Sequence, residues 1–192
     1  MKLTGNTIFI TGGTSGIGRA MAEKFHQLGN QVIISGRRQA LLDSVTAANP
    51  GMGAVVLDVT RADSINAAAK EVLLRYPALN VVINNAGIMP FDNAAGELDD
   101  EMAVTLLNTN LLGPVRVSAA FIEHLKKQPD AVLINNSSIL AFLPLAANAL
   151  YSATKAAIHS YTLSQRFLLR DSSVKVIEIS PPWVDTDLIY KS

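Results

Sequence analysis

The stretch TIFITGGTSGIG, residues 7–18, decides the fold of this chain. Its first five residues predict a buried strand, and the run from Gly18 to Leu28 then predicts a helix. The four glycines between them and at the helix start allow positive φ angles and close approach of a phosphate to the backbone. A helix that begins here offers unpaired N–H groups and a positive dipole end to a pyrophosphate. A tight turn would need one glycine rather than four, so the stretch predicts a dinucleotide site.

The rest of the chain repeats this alternation of short apolar runs and longer amphipathic runs. Further strands are predicted at residues 32–35, 54–57, 81–83, 131–134 and 174–179. Further helices are predicted at residues 40–48, around 65–76, at 98–127 and at 150–170. Strands that are apolar throughout and separated by helices indicate a parallel sheet covered on both faces. We therefore expect a doubly wound α/β (Rossmann) fold, with ligands beyond the carboxyl ends of the strands.

Length and composition favour one domain over residues 1–192 and a cytoplasmic protein. Sixteen basic residues balance sixteen acidic ones, so nothing suggests a nucleic-acid or anionic-membrane partner. No apolar run approaches the ~18 residues of a membrane span, and the amino terminus lacks the apolar region of a signal peptide. The absence of cysteine excludes disulfides and thiolate metal sites and suits a reducing compartment. The three histidines lack metal-ligand spacing, so no metal is expected.

The two long predicted helices, 98–127 and 150–170, are apolar over more than one face. Residues such as Leu106, Leu111 and Phe121 cannot all face one sheet, so the helices are expected to be buried on several sides. We expect a homodimer or homotetramer formed through these helices. The alternative is cover from a further segment of the same chain, and the helix pattern alone does not decide between the two.

The end of the second strand, Ser35-Gly36-Arg37-Arg38, indicates which dinucleotide is bound. An acidic residue is expected here to hold the ribose 2′-hydroxyl of NAD, and none is present. Arginine offers paired donors to a 2′-phosphate. The two arginines could merely solvate a helix start, but that would not explain the missing acid. NADP is therefore favoured over NAD.

The stretch Tyr151-Ser152-Ala153-Thr154-Lys155 supplies candidate acid–base groups. On a helix, residues four apart lie on one face, so Tyr151 and Lys155 should be neighbours. A phenol has a reference pKa of about 10, and a nearby ammonium is expected to lower it toward neutrality. Alone, this spacing occurs by chance in any long helix.

Three motifs in this order carry a family resemblance: Thr11-Gly12-x-x-x-Gly16-Ile17-Gly18, Asn84-Asn85-Ala86-Gly87 and Tyr151-x-x-x-Lys155. The chain resembles the classical short-chain dehydrogenase/reductase family along its whole length. The resemblance implies Tyr151 as the proton donor or acceptor and Lys155 as the residue that lowers its pKa and binds the nicotinamide ribose. It also implies cofactor contacts from the glycine loop and the ends of the third and fourth strands: Gly12, Thr14, Ser15, Gly16, Ile17, Gly18, Asp58, Val59, Asn85, Ala86 and Gly87. Asp58 could instead be a helix-cap or turn residue.

Two further catalytic positions follow from the resemblance. Ser138 would hold the substrate oxygen, and a hydroxyl there can donate as negative charge develops. Ser137 is the near alternative, but strand alternation would point it the other way. Asn110 would anchor a proton relay. Because Pro114 has no N–H, the Asn110 carbonyl loses its helical partner and could hold a water beside Lys155.

The chain departs from the family pattern in two places. Proline stands at 182, where the family usually has glycine, although Val184 and Thr186 match the positions that hold the nicotinamide carboxamide and a phosphate. The sequence also stops at Ser192, where members normally continue into a lid and a last strand, so we expect it to be carboxyl-terminally incomplete. Residues 1–7 and 180–186 look like the bacterial subgroup named for the teichoic-acid D-alanylation operon.

The sequence thus predicts an NADP(H)-dependent oxidoreductase acting on a small ketone or secondary alcohol. The nicotinamide would carry the hydride, while Asn110, Ser138, Tyr151 and Lys155 supply orientation and acid–base groups. The alternative is a catalytically silent NADP-binding module that senses redox state or regulates a partner. Such a module would have no reason to keep all four catalytic groups.

Overall fold

The computed structural model describes residues 2–186 and residue 188. Within these residues six strands form one parallel sheet, in the order β3-β2-β1-β4-β5-β6. The strands are β1 Thr7–Thr11, β2 Gln31–Gly36, β3 Gly53–Val56, β4 Val81–Asn84, β5 Val132–Asn136 and β6 Lys175–Ile179. The strand order reverses between β1 and β4, which is where doubly wound sheets bind ligands. The predicted Rossmann fold is confirmed.

Helices cover both faces of this sheet. In the described part of the chain they are α1 Gly16–Gln27, α2 Gln39–Ala48, α3 Ala62–Arg75, α4 Asp100–Leu107, α5 Gly113–Leu125 and α6 Ala149–Leu168. A π-helical turn, Asn108–Leu112, joins α4 to α5, and 3₁₀ turns lie at Ile139–Ala141 and Ala146–Asn148. None of the helices in residues 2–186 is long and apolar enough to cross a bilayer.

Two hydrophobic clusters, one on each face, hold the helices to the sheet. Phe9 points to the face where Phe121 of α5 packs, with ring centroids 5.1 Å apart. Its neighbours Ile8 and Ile10 point to the other face, where they pack with residues of α1 and α2 such as Ala22. Successive residues of a strand face opposite sides, so one short apolar strand serves both clusters.

The long helix predicted at 98–127 is wrong in detail. It begins at Asp100, because Asp99 caps it by accepting a 3.0 Å hydrogen bond from the Met102 N–H, and it ends at Leu125. The π-helical turn divides it into α4 and α5 just before Pro114, the residue that cannot donate an intrahelical hydrogen bond. The predicted 150–170 helix corresponds closely to α6.

Candidate active site

A cavity of about 850 Å³ lies at the carboxyl ends of the strands. All six strand ends contribute to its lining, among them Gly12, Gly36, Asp58, Asn85, Ser138 and Pro182. Every predicted site residue except Asn110 lines this one cavity. The parallel topology explains the convergence, since each strand delivers its following loop to the same edge of the sheet.

The glycine loop forms one side of the cavity and has the shape that a dinucleotide phosphate requires. Gly12 has φ +68°, and a Cβ added there would lie 2.9 Å from the Ala86 Cα. A Cβ on Gly18 would collide with the Gly12 carbonyl oxygen and the Asn85 side chain. Among the described residues, no side chain caps the start of α1, so its first N–H groups are available to an anion.

Two other segments of the chain contact the glycine loop. The Thr11 hydroxyl oxygen accepts hydrogen bonds of 3.0 Å from the main-chain N–H groups of Asn85 and Ala86, which fixes the segment after β4 to the loop. Thr186 lies beside Gly16, its Cβ 3.5 Å from where a Cβ on that glycine would stand. The predicted cofactor residues of three segments therefore lie together.

The far end of the cavity carries Arg37, Arg38 and Asp58. Asp58 accepts two hydrogen bonds from Thr60, from its N–H at 3.0 Å and its hydroxyl at 2.7 Å, so the turn role considered for this residue is real. Burial acts to raise the pKa of the Asp58 carboxyl, but these bonds and the charges of Arg37 and Arg61 outweigh it and hold the pKa below its usual value. Asp58 therefore serves the turn and still lines the cavity.

Tyr151 and Ser138 form the opposite side, and both are buried. The Ser138 Oγ accepts a 3.1 Å hydrogen bond from the Leu140 N–H, so its own hydroxyl proton remains to be donated, and in the chain by itself the Tyr151 oxygen is the partner. Burial raises the pKa of Tyr151, and the hydrogen bond with Ser138 acts in the opposite direction without cancelling it. In the chain by itself desolvation of the phenolate dominates, and a lowering of the Tyr151 pKa by Lys155 stays a prediction.

Lys155 lies one helical turn beyond Tyr151, and the residue is only 6% exposed. Its Nζ is 5.5 Å from the centre of the Tyr151 ring and donates a 2.9 Å hydrogen bond to the main-chain carbonyl of Asn136. Burial lowers the pKa of Lys155 from 10.5 to about 8. The lysine therefore still carries its proton at neutral pH, although it holds that proton much less tightly than a surface lysine.

Asn136 and Asn85 connect this lysine to the glycine loop. The Asn136 amide donates a 2.9 Å hydrogen bond to the Asn85 Oδ1, and the Asn85 amide donates to the Thr11 carbonyl at 3.1 Å. Sequence reasoning missed Asn136. The two amides, Asn135 and Asn136, that end an apolar strand just before the predicted Ser138 were the available signal.

Asn110 lies behind the cavity, in the π-helical turn, and is 1% exposed. Its side chain pairs with the main chain of Ile88, accepting from the N–H at 2.9 Å and donating to the carbonyl at 2.8 Å. Asn110 thus holds the segment that follows Gly87. A water on its carbonyl stays a prediction.

Pro182 and Trp183 form the outer part of the Tyr151 side of the cavity. The Pro181 carbonyl accepts a 3.0 Å hydrogen bond from the Ile139 N–H, which joins the segment after β6 to the segment that carries Ser138. Trp183 is 63% exposed at the cavity edge. Proline at 182 is therefore accommodated while Val184 and Thr186 still line the cavity.

Comparison with known proteins gives consistent matches along the chain. A family model described as short chain dehydrogenase matches residues 6–192. The oxidoreductase DltE of Bacillus subtilis (strain 168) is 44% identical, over 100% of this chain and 77% of the relative. The NADPH-dependent 1-acyldihydroxyacetone phosphate reductase of Schizosaccharomyces pombe is 35% identical, over 96% of this chain and 62% of the relative.

A solved structure also matches almost the whole chain. The 3-ketoacyl-(acyl-carrier-protein) reductase from Brucella melitensis, crystallised with NADH, superposes with a TM-score of 0.92 at 28% identity. The match covers 98% of this chain and 80% of that one.

Proposed function

The chain belongs to the short chain dehydrogenase family, and on that premise we propose that it transfers a hydride between NADP(H) and a ketone or secondary alcohol. The observation that supports this proposal most directly is the convergence of Tyr151, Lys155 and Ser138 on one side of a cavity whose other side is the glycine loop. The similarity to DltE agrees with the subgroup resemblance in residues 1–7 and 180–186.

The protein's own residues handle the proton and the substrate oxygen. A bound nicotinamide would supply or accept the hydride. Ser138 would turn its hydroxyl proton from the Tyr151 oxygen to the substrate carbonyl oxygen, and this hydrogen bond would stabilise the negative charge that develops there. Tyr151, whose raised pKa keeps it protonated at neutral pH, would then give its proton to that oxygen. The Lys155 charge would stabilise the phenolate that remains.

NADP(H) is proposed over NAD(H) because of the two arginines that follow β2. Arg37 and Arg38 are exposed side chains at the cavity edge, and Arg37 is near enough to Asp58 to lower its pKa. A 2′-phosphate placed there would gain charge-assisted hydrogen bonds, whereas a 2′-hydroxyl would find no carboxylate at the end of β2. The related Schizosaccharomyces pombe reductase is named as NADPH-dependent.

The test is to follow NADPH absorbance with a panel of small ketones, using Tyr151→Phe as the control. The wild-type chain should consume NADPH, and Tyr151→Phe should lose roughly 10²–10⁴-fold of the rate, the usual contribution of a general acid. Equal turnover by Tyr151→Phe would contradict the proposed mechanism. Tight NADPH binding without turnover of any ketone would instead support a silent binding module.

The cofactor preference has its own test. Replacing Arg37 and Arg38 together by alanine should weaken NADPH binding by about tenfold to a hundredfold, as expected for loss of charged hydrogen bonds of about 1.5–3 kcal/mol. NADH binding should change little. Equal weakening for both dinucleotides would contradict the proposed role.

We also propose that the chain forms a homo-oligomer through α4–α5 and α6. The observation behind it is a set of exposed apolar side chains on these helices and on the π-helical turn between α4 and α5: Val104, Leu107, Leu112, Leu163 and Phe167. Apolar residues are enriched at the centres of subunit interfaces. Light scattering should therefore give a multiple of the 20.5 kDa chain mass, and Phe167→Glu should reduce it. A monomer at all concentrations would contradict this proposal.

A further inference from the structure

A polar cluster outside the catalytic groups joins three elements behind the Ser138 segment. The Glu178 carboxylate, from β6, accepts a 2.6 Å hydrogen bond from the Ser137 hydroxyl at the end of β5. Its other oxygen lies 2.9 Å from the Nδ1 of His159 on α6. Ser180 adds a hydroxyl 2.8 Å from that of Ser137. The side chain of Glu178 is only 10% exposed, so these contacts are what holds a carboxylate inside the protein.

His159 contacts the same segment at a second position. Its ring stands edge-on to the Phe142 ring, with centroids 4.6 Å apart. Phe142 ends the 3₁₀ turn that begins directly after Ser138. The segment 137–142 is therefore held at its start by the hydrogen bond from Ser137 to Glu178 and at its end by the ring contact between Phe142 and His159. Ser138 lies between these two contacts.

The cluster does not have the order of a serine hydrolase. In such a site a histidine contacts the serine and the carboxylate orients the histidine. Here the carboxylate lies between them, and Ser137 donates to Glu178 rather than to His159. The arrangement can fix positions but does not place the histidine where it could take the serine proton.

We propose that Glu178 and His159 are positioning residues that act through Ser138, which they hold at the hydrogen-bonding position required by the proposed carbonyl reduction. This inference rests on the proposed function for its kinetic part. His159 also lies one helical turn beyond Lys155, so the same helix face sets both the lysine and the contact with the serine segment. A shift of about 1 Å at a catalytic group can lower the rate about a hundredfold, so contacts that fix the position of Ser138 should have a measurable effect on catalysis.

The kinetic test is a double-mutant cycle between Glu178 and Ser138. Glu178→Leu should lower kcat for NADPH-dependent ketone reduction by about 10- to 100-fold while leaving NADPH affinity within about twofold. In a Ser138→Ala background the same change should lower kcat by less than about threefold, because the residue that it positions is already gone. Equal losses in the two backgrounds would overturn the proposal.

Matched variants separate positioning from general damage. Glu178→Gln keeps an oxygen for Ser137 and an amide that can bond the other tautomer of His159, so its kcat should stay within about threefold of wild type. Gln165→Leu removes another buried contact between α6 and β5, the 3.0 Å bond from the Asn135 amide, and should lower stability without lowering kcat. A loss of kcat in Gln165→Leu as large as that in Glu178→Leu would overturn the proposal.

A third measurement needs no turnover. The Leu140 N–H donates to the Ser138 Oγ, so its hydrogen exchange reports directly on the position of that oxygen. His159→Phe keeps the ring contact with Phe142 but loses the bond to Glu178. His159→Asn keeps a donor for Glu178 and loses the ring contact, which is the weaker of the two interactions. Exchange at Leu140 should accelerate by about tenfold in His159→Phe and much less in His159→Asn.

The exchange experiment also distinguishes the two proposals. If the wild-type chain reduces no ketone, the proposed function fails, while accelerated exchange at Leu140 would still support the positioning of Ser138 by Glu178 and His159. If ketones are reduced but exchange at Leu140 is unchanged in folded His159→Phe, the positioning role is wrong and the proposed function stands. His159→Phe, which leaves Glu178 and its two serine partners in place, also serves if Glu178→Leu does not fold.

Discussion

Replacing the catalytic lysine should make the protein more stable while it destroys activity. Burial lowers the pKa of Lys155 from 10.5 to about 8, so the folded state holds this proton less tightly than the unfolded state. Each pKa unit corresponds to about 1.4 kcal/mol, so keeping the ammonium inside costs about 3 kcal/mol at neutral pH. Methionine has a similar length and no charge to desolvate, and therefore removes this cost.

The gain is smaller than the whole cost, because the lysine also makes one useful bond. Lys155 donates to the Asn136 carbonyl at 2.9 Å, and leaving that acceptor unpaired costs roughly 1 kcal/mol. Lys155→Met should therefore stabilise the chain by about 2 kcal/mol at pH 7. For a chain of this length that corresponds to a rise in Tm of about 4–8 °C. Turnover should fall at least about 100-fold, since the acid–base group at Tyr151 loses its cation.

The pH dependence gives the sharper check. Between pH 8 and 10.5 the folded wild type has lost the Lys155 proton and the unfolded chain still binds it, so wild-type stability relative to the variant rises with pH across this window. The advantage of Lys155→Met should be complete below pH 8 and gone before pH 10.5, because the variant still lacks the bond to the Asn136 carbonyl. Denaturant unfolding at several pH values measures it, with Lys70→Met, an exposed lysine on α3, as the control. A variant that is less stable at pH 7, or an advantage that does not shrink with pH, would refute the reasoning.

Three further predictions follow from the same structure. The kcat for carbonyl reduction should fall as pH rises above about 8, because Lys155 then loses its charge; a pH–rate profile that stays level to pH 10 would contradict this. Gly12→Ala should weaken NADPH binding by about tenfold, since a Cβ would press on Ala86 and a positive φ costs a residue with a side chain about 1–2 kcal/mol. Gly5→Ala, which shares the positive φ but has open space around it, should leave binding unchanged in the same fluorescence titration. Phe121→Ala should destabilise the fold by about 3–5 kcal/mol in denaturant unfolding, because it leaves a cavity beside Phe9, and a loss below 1 kcal/mol would show that the two rings are not packed as described.

The sequence predicts the sheet well because each strand is a short apolar run with polar or glycine-rich ends. Runs this short, rich in β-branched residues and bounded by turn residues, favour a strand buried on both faces, and β1 was predicted at its observed bounds. It predicts the convergence of the site for the same reason, since parallel strands deliver their loops to one edge. Periodicity could not reveal the π-helical turn, because five residues are too few to show a change of helical period.

The sequence pattern could not predict the pKa values or the side-chain hydrogen-bond networks of the site. The Tyr151 pKa depends on how completely the phenol is buried, which spacing does not state. Glu178 and His159 are separated by eighteen intervening residues in the chain, and only the packing of α6 against β6 brings them together. A carboxylate between two isoleucines of a strand indicates a buried partner, but it does not identify which of the three histidines that partner is.

The π-helical turn also carries one residue more than the rotation between α4 and α5 requires. A π-helix bonds residues five apart and an α-helix bonds residues four apart, so five π-helical residues turn the chain about as far as four α-helical ones. Deleting one residue from 108–112 to restore a regular helix would therefore leave Phe121 and Leu125 facing the sheet, but it would remove the widened turn from which Asn110 meets Ile88. The extra residue is thus a requirement of the site rather than of the core: a single-residue deletion there should leave a folded protein whose segment after Gly87 has lost its support.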